Sequence, residues 1–417
     1  MTDTTISRVE ILIQQGKYPE AERMLKDLLA MDAGNLHYQC LLAEVFLAQD
    51  KTEEANTIIS NAIGMNPDNG YLFYIKARID ISKDDFDSAE KNSMQSITLD
   101  PHDADYFAMY ANIKLARKKY SEALEYANKA LEIDPENILA LNTRSTALLK
   151  LNKKSESFQT IEGALRNDPN NSYTHANYGW GLLEKGEHKK ALEHFRESLK
   201  NDPTSEYAKA GMMEALKASN PIYRLFLKYS FFMSNLTAKY QWGVILSFYF
   251  GQKILRGIAR TSPTLDSYIK PVIIGMAIIA FSTWVITPIS NLFLRFNVYG
   301  NFLLDKDEKR SSNFVAVSLG IFLLGLLLYI VFSNDMFLSL AVFGFAMMLP
   351  FSVMFAPSKY KNALLIYSGI MTITGIASLL IIFNTGNLFN MFTMIFGFGF
   401  IAFQWIANGL MIQQSNK

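Results

Sequence analysis

The chain has almost none of the residues that build disulfides, metal centres or nucleophilic active sites. Its 417 residues include one cysteine, Cys40, so no disulfide can form within a single chain. The five histidines form no His-Glu-x-x-His or Cys-His cluster of the kind that binds zinc. Gly397 and Gly399 resemble part of a glycine-rich loop, but they lie in an apolar run, where glycines usually permit close helix packing. The sequence therefore predicts no phosphate-binding loop. The sequence therefore predicts no metal, no cofactor and no catalytic motif, and favours a protein that is not an enzyme.

Acidic residues are scarce in the second half of the chain. Residues 218–417 contain 5 Asp+Glu beside 14 Lys+Arg, a net charge of +9, whereas residues 1–217 contain 34 Asp+Glu and 26 Lys+Arg, a net charge of −8. The overall charge of +1 therefore hides an acidic, soluble head and a basic, apolar tail. The N-terminus has no basic stretch followed by an apolar run, so we expect no signal peptide and a cytosolic head.

Prolines recur every 34 residues through the first half, and small residues recur in the same register. The prolines are Pro67, Pro101, Pro135, Pro169 and Pro203. The small residues at three further positions of the repeat are Ala43, Ala77, Ala111, Ser145 and Gly179; Ala55, Ala89, Ala123, Ser157 and Ala191; and Ala62, Ser96, Ala130, Ala164 and Ser198. A fixed period of this length indicates a solenoid of helix pairs, with small side chains where antiparallel helices approach closely.

This register closely resembles the tetratricopeptide repeat (TPR) superfamily. The resemblance covers the first half of the chain and implies an all-α, right-handed helical solenoid over residues 1–217. We interpret this region as six repeats, of which the first is a degenerate cap with Ala33 in place of the proline. Residues 204–217 are expected to form a final helix over the last groove.

The resemblance also points to a binding surface. In this family the second, fifth and ninth positions of each first helix face a concave groove. Polar and aromatic residues at these positions predict a groove for a protein or peptide partner. The candidate groove residues are Tyr71, Tyr74, Arg78, Asn112, Asn142, Tyr173 and Trp180. Chaperone-binding members of the family use a clamp of lysine and arginine, and the matching lysines are missing here. The alternative is a solvated inner face with no partner.

The tail begins near Pro221 and is predicted to lie in and on a membrane. Residues 218–262 are predicted to form amphipathic or interfacial linker helices, with the alternative that 222–236 packs on the end of the solenoid. Residues 263–417 are predicted to be a polytopic transmembrane domain, because five apolar runs approach or exceed the roughly 20 residues that cross a bilayer. These runs are 273–294, 314–332, 337–356, 363–383 and 389–412. The segment 242–255 could add a crossing, and a break at Pro288 could remove one, so six and four crossings both stay open.

Cations predict the orientation of the tail. Lysine and arginine occur in the loops 295–313 and 357–362 and at Lys417, whereas the alternate loops 333–335 and 384–387 contain neither. The positive-inside rule places the solenoid and the C-terminus on the cytoplasmic side of a bacterial inner membrane. The central parts of the apolar runs carry no charge, which argues against a secondary transporter.

The sequence thus predicts a membrane-anchored scaffold or adaptor that recruits or holds a protein partner at the cytoplasmic membrane face. The alternative is a polytopic membrane enzyme or transporter that a TPR domain regulates. Membrane lipid and other membrane subunits are further candidate partners, and nothing indicates nucleic acid. The charged run 305–310 is interpreted as a solvated loop, with docking of a partner or of lipid headgroups as the alternative.

Overall fold

A computed structural model describes residues 2–259, 263–295, 298–356 and 362–415, and within them the chain forms helices and no strand. The helices of the first half are α1 (Thr2–Gln14), α2 (Tyr18–Met31), α3 (Leu36–Ala48), α4 (Thr52–Met65), α5 (Gly70–Ser82), α6 (Phe86–Leu99), α7 (Ala104–Ala116), α8 (Tyr120–Ile133), α9 (Ile138–Lys150), α10 (Lys154–Asn167), α11 (Ser172–Lys185), α12 (His188–Asn201) and α13 (Glu206–Lys217). The helices of the second half are α14 (Pro221–Asn235), α15 (Ala238–Ala259), α16 (Pro263–Leu294), α17 (Val298–Leu303), α18 (Lys306–Phe332), α19 (Asp335–Val353), α20 (Ala363–Thr385) and α21 (Met391–Ser415). The predicted all-α fold is confirmed.

The first helices α3, α5, α7, α9 and α11 each start at a side-chain cap that repeats every 34 residues. The side chains of these residues accept a hydrogen bond from a backbone N–H in the first turn, and they are Asn35, Asn69, Asp103, Asn137 and Asn171. Asparagine and aspartate are preferred caps because their oxygens satisfy N–H groups that lack a helical partner. The proline that stands two residues before each of the last four caps therefore belongs to a turn that ends one pair and starts the next.

A second repeating feature lies between the two helices of each pair. One residue in each turn has a positive φ, and these residues are Gly16, Asp50, Asp84, Lys118, Asn152 and Gly186. Glycine, asparagine and aspartate tolerate this left-handed conformation better than other residues, so Lys118 is the exception. The reversal at these turns brings the two helices of each pair side by side.

The small residues of the repeat are buried, as the register predicts. Ala43, Ala55 and Ala62 are fully buried, and the equivalent residues of the later repeats are also buried. Ser145 replaces alanine in the fourth of these repeats, and its hydroxyl lies 3.1 Å from the hydroxyl of Ser157. The close contact between paired helices is thus kept with a hydrogen bond between two buried serines.

The chain divides into two compact units, Met1–Gly181 with Lys200–Pro203, and Leu182–Leu199 with Thr204–Asn416. The last helices of the repeat region, α12 and α13, therefore belong largely to the second unit. The domain boundaries that the sequence predicts after residues 217 and 262 stay predictions.

In the second unit, α13 and α14 contact α16. The Tyr223 hydroxyl of α14 donates a hydrogen bond of 2.7 Å to Glu214, and the Lys217 ammonium lies 3.2 Å from the other oxygen of that carboxylate. Tyr223 and Lys217 are almost fully buried, and the hydrogen bond from Tyr223 to Glu214 holds α14 against α13. The opposite face of α14 exposes apolar residues: Ile222, Leu225, Tyr229 and Phe232. One face of α14 is thus packed while the other is open, and its predicted interfacial role stays a prediction.

Among the described residues, four helical segments are long and apolar enough to cross a membrane. They are Leu265–Thr283, Lys306–Phe332, Asp335–Val353 and Ala363–Thr385. Val285–Leu294 and Met391–Phe403 are shorter apolar stretches. The helix α16 continues through Pro288 and does not reverse direction there. Lys359, Lys361 and Lys417, on which the predicted orientation partly rests, lie outside the described residues.

Two glycines bring α18 and α19 into close backbone contact. A Cβ atom added at Gly325 would lie 2.5 Å from the Ala341 nitrogen, and one added at Gly344 would lie 2.5 Å from the Phe322 nitrogen. Near one end of the pair, the Ser311 hydroxyl hydrogen-bonds to the carbonyl oxygens of Phe351 and Ser352 at 2.8 and 3.0 Å. Glycine at both contacts lets the two apolar helices approach more closely than any larger residue would allow.

Candidate protein-binding groove

The candidate groove is the set of second, fifth and ninth positions of the first helices α3, α5, α7, α9 and α11. Three of its predicted residues, Tyr71, Tyr74 and Arg78, lie together on α5. The rings of Tyr71 and Tyr74 stack with centroids 5.9 Å apart, and the Arg78 guanidinium lies 5.8 Å from the centre of the Tyr74 ring. Tyr71 remains 40% exposed, so it offers aromatic surface that a partner could cover.

Glu44 completes this cluster, and sequence reasoning did not include it among the site residues. Its carboxylate accepts a hydrogen bond of 3.0 Å from the Tyr71 hydroxyl and one of 2.9 Å from Arg78. Glu44 and Arg78 both occupy the ninth position of a first helix, in consecutive repeats. Their separation of 34 residues was therefore the signal that could have paired them. Arg78 is neutralised by this contact, which suits it poorly to binding a free carboxylate.

The tyrosines of the cluster stay protonated, and Tyr71 donates a hydrogen bond to Glu44. Burial raises the pKa of Tyr71, and the adjacent Glu44 carboxylate raises it further. Burial also raises the pKa of Tyr74. Both hydroxyls are therefore neutral at physiological pH, and the cluster presents neutral rings beside a neutralised ion pair.

The aromatic packing of the cluster continues into the next repeat. Tyr74 contacts Tyr106 of α7, with ring centroids 5.5 Å apart, and Tyr106 is itself buried. Asp105, at the second position of α7, accepts a hydrogen bond of 2.6 Å from the Asn137 cap of α9. Consecutive first helices are thus tied to each other by side chains, which fixes the spacing of the groove residues.

Asn142 is placed differently from the other predicted residues. It is 1% exposed, its amide nitrogen donates to Thr174 at 2.9 Å, and its amide oxygen accepts from Asn177 at 3.0 Å. Asn177 is also 3.2 Å from the Thr146 hydroxyl. The Asn142 side chain therefore joins α9 to α11 and has no accessible polar atom to offer to a partner.

The remaining predicted residues lie on other first helices. Asn112 of α7 is half-buried and makes no side-chain hydrogen bond within the described part of the chain. Tyr173 of α11 is 48% exposed, and Trp180 of the same helix is half-buried. Burial raises the pKa of Tyr173, so its hydroxyl is neutral as well. The structure groups Tyr71, Tyr74 and Arg78 in one cluster, with Asn112 on the next first helix and Tyr173 and Trp180 two repeats further on.

The single cysteine of the chain is buried in the packing of this half. Cys40, at the fifth position of α3, is 3% exposed, and burial raises the pKa of its thiol to about 12. A buried, protonated thiol is a poor nucleophile. The described residues contain no group of three or more His, Cys, Asp or Glu side chains placed to hold a metal ion.

Family models match three segments of the chain. Tetratricopeptide repeat models match residues 12–79, 104–137 and 142–206. The repeats of the N-terminal half are tetratricopeptide repeats. No curated protein matches the sequence.

Several solved structures resemble the chain. A tetratricopeptide repeat protein from Parabacteroides merdae is 16% identical with a TM-score of 0.45, over 51% of this chain and 83% of its own. TTC0263, a TPR protein from Thermus thermophilus, is 16% identical with a TM-score of 0.41, over 43% of this chain and 98% of its own. YrrB, a TPR protein with an unusual peptide-binding site, is 16% identical with a TM-score of 0.32, over 44% of this chain and 95% of its own.

Proposed function

We propose that this protein is a membrane-anchored TPR scaffold or adaptor, whose groove recruits or holds a segment of a partner protein at the cytoplasmic face of a bacterial inner membrane. The observation that carries the proposal is the cluster of Tyr71, Tyr74, Arg78 and Glu44 at predicted groove positions of consecutive repeats. The described part of the chain also contains four helical segments of membrane-spanning length. TPR domains generally bind proteins or peptides, and the apolar helices would hold the bound partner at a membrane.

The chemistry of the cluster favours an extended peptide with apolar or aromatic side chains. Rings of Tyr71 and Tyr74 supply contact area at little cost in side-chain entropy, and aromatic residues dominate interface energies. Asn112 has free amide groups that could pair with a peptide backbone. A peptide bound through its terminal carboxylate fits less well, because Arg78 is already paired with Glu44.

The rival function is a polytopic membrane enzyme or transporter that the TPR region regulates. The two functions differ in what each half does alone. Affinity purification in mild detergent tests this with three proteins: the full chain, residues 1–220 and residues 221–417. The adaptor predicts that the partner co-purifies with the full chain and with residues 1–220, and is absent from residues 221–417. A partner that follows residues 221–417 instead would favour the rival.

The proposed orientation places both termini in the cytoplasm. It is motivated by the Lys and Arg of the 295–313 and 357–362 loops and by their absence from the 333–335 and 384–387 loops. Topology reporters fused after Asn334 and Asn387 are expected to read external, and those fused after Lys309 and Lys361 internal. An external signal from a reporter on the solenoid would overturn the orientation.

A further inference from the structure

A cavity of about 320 Å³ lies in the second unit, where the ends of α16, α18 and α19 come together. Its lining includes Asn291, Asp305, Asp307, Glu308, Val353 and Phe355. The candidate membrane span of α18 begins with the charged residues 306–310 and is apolar from Phe314 onward, and that of α19 ends at Val353. The cavity is therefore placed where apolar helices begin and end, which in a bilayer is the level of the lipid headgroups.

Asn291 of α16 is the unusual residue of this cavity. It is 3% exposed, and its side-chain oxygen has no hydrogen-bond partner within the described residues. A buried carbonyl oxygen without a donor is costly, because it gives up hydrogen bonds to water and receives none in return. The rarity of such atoms in folded proteins indicates a ligand whose N–H or O–H group would complete the site.

The remaining polar lining consists mainly of acceptors. Asp305, Asp307 and Glu308 contribute carboxylates, and the described residues that line the cavity include no lysine or arginine. Asp305 and Glu308 accept hydrogen bonds of 2.6 and 3.1 Å from each other's backbone N–H at the start of α18, and Asp307 lies 3.3 Å from Arg310. Each carboxylate has acceptor capacity beyond these contacts. In the described residues such side chains form no cluster suited to a metal ion.

We propose that this cavity binds a primary ammonium group. An ammonium carries a positive charge and three donors, so it can satisfy the Asn291 oxygen while its charge is balanced by the carboxylates. The apolar wall formed by Val353 and Phe355 accommodates the carbon atoms attached to the nitrogen. Two sources share this chemistry: the ethanolamine headgroup of a phospholipid and a free primary amine. The place of the cavity at the helix ends favours the lipid.

The test uses the full-length protein in vesicles that contain an anionic lipid and either phosphatidylethanolamine or phosphatidylcholine, whose trimethylated nitrogen has no N–H donor. The wild type is expected to unfold about 2–4 °C higher in the ethanolamine vesicles, as for a modest ligand-linked stabilisation. The variant Asn291→Leu has nearly the same shape and no acceptor. It should unfold at the same temperature in both lipids, and in phosphatidylcholine it should be at least as stable as the wild type.

A second pair of variants keeps the test decisive if Asn291→Leu does not fold. Asp307→Asn removes one charge from the lining, whereas the control Asp335→Asn removes the equivalent first-turn charge from α19. The first is expected to reduce the response to phosphatidylethanolamine and the second to leave it unchanged. Equal responses of the two variants would overturn the proposal.

Free ethanolamine added to phosphatidylcholine vesicles distinguishes the sources. Stabilisation by free ethanolamine that depends on Asn291 supports an ammonium site for soluble amines. Stabilisation by phosphatidylethanolamine but not by free ethanolamine, if it also depends on Asn291, supports a lipid site. If neither stabilises the wild type, or if both stabilise Asn291→Leu equally well, the cavity is not an ammonium site.

Discussion

The double variant Arg78→Ala with Asn112→Ala is expected to weaken capture of the protein partner at least tenfold. Arginine and aromatic anchors carry most of the energy at an interface, and truncating an anchor typically costs about 2 kcal/mol or more. Because about 1.4 kcal/mol is a factor of ten in affinity, the loss of one anchor would suffice. The amount of partner that co-purifies with the full-length variant, titrated against the wild type, measures the effect.

The fold should tolerate this change. The ion pair between Arg78 and Glu44 is partly exposed, and such pairs contribute about 0–1 kcal/mol to stability. The matched control is Arg166→Ala with Asn167→Ala, which removes an exposed arginine and an exposed asparagine from the second helix α10. Thermal unfolding should be similar for both double variants. If the groove variant keeps its full affinity for every partner, binding takes place elsewhere, with the 305–310 run as the first candidate.

Replacing Gly344 with alanine is expected to destabilise the contact between α18 and α19 by about 1–3 kcal/mol, the usual cost of overpacking a tight contact. The added methyl group would lie 2.5 Å from the Phe322 nitrogen and 2.7 Å from the Ser318 oxygen. These are backbone atoms, so the two helices must move apart and lose packing along their length. Thermal unfolding of the purified protein in detergent measures this loss.

Gly320 provides the control on α18. A methyl group added there would meet no atom within 4 Å, so Gly320→Ala should be neutral or slightly stabilising, since alanine favours helix more than glycine does. Equal unfolding temperatures for the Gly344 and Gly320 variants would mean that the close approach of α18 and α19 is not maintained in the protein.

The repeat architecture was largely predictable because it depends on local chemistry that recurs. Prolines and small residues at a period of 34 predicted the helix pairs, and buried Ala43, Ala55 and Ala62 confirm the register. The Asn and Asp caps and the positive-φ turns recur with the same period. They support the same repeat boundaries through backbone hydrogen bonding and backbone conformation, whereas the small residues do so through helix packing. In such a solenoid each unit contacts mainly its neighbours, so a short sequence window contains most of the relevant information.

Individual side chains of the groove were less predictable, because their environment depends on the neighbouring repeat. Asn142, at a fifth position, and Arg78, at a ninth position, are both predicted to face the groove, yet the Asn142 amide bonds to Thr174 and Asn177 and is buried. Arg78 stays partly exposed but is neutralised by Glu44. The position of a residue in the repeat predicts which way its side chain points. Whether that side chain is accessible depends on the polar groups of the neighbouring first helix that contact it. The cavity at Asn291 was hidden for the same reason, since its lining comes from three separated helices.

Site-specific photocrosslinking in cells tests the central proposal most directly. A photoreactive amino acid is placed in the full-length protein at Asn112, on the groove, or at Lys91, an exposed residue of the second helix α6. The proposal predicts a discrete protein adduct in the membrane fraction from position 112, its loss when Arg78→Ala is added, and no such adduct from position 91. Identical adducts from both positions, or none from position 112 in cells where the partner co-purifies with the protein, would contradict the groove as the binding surface.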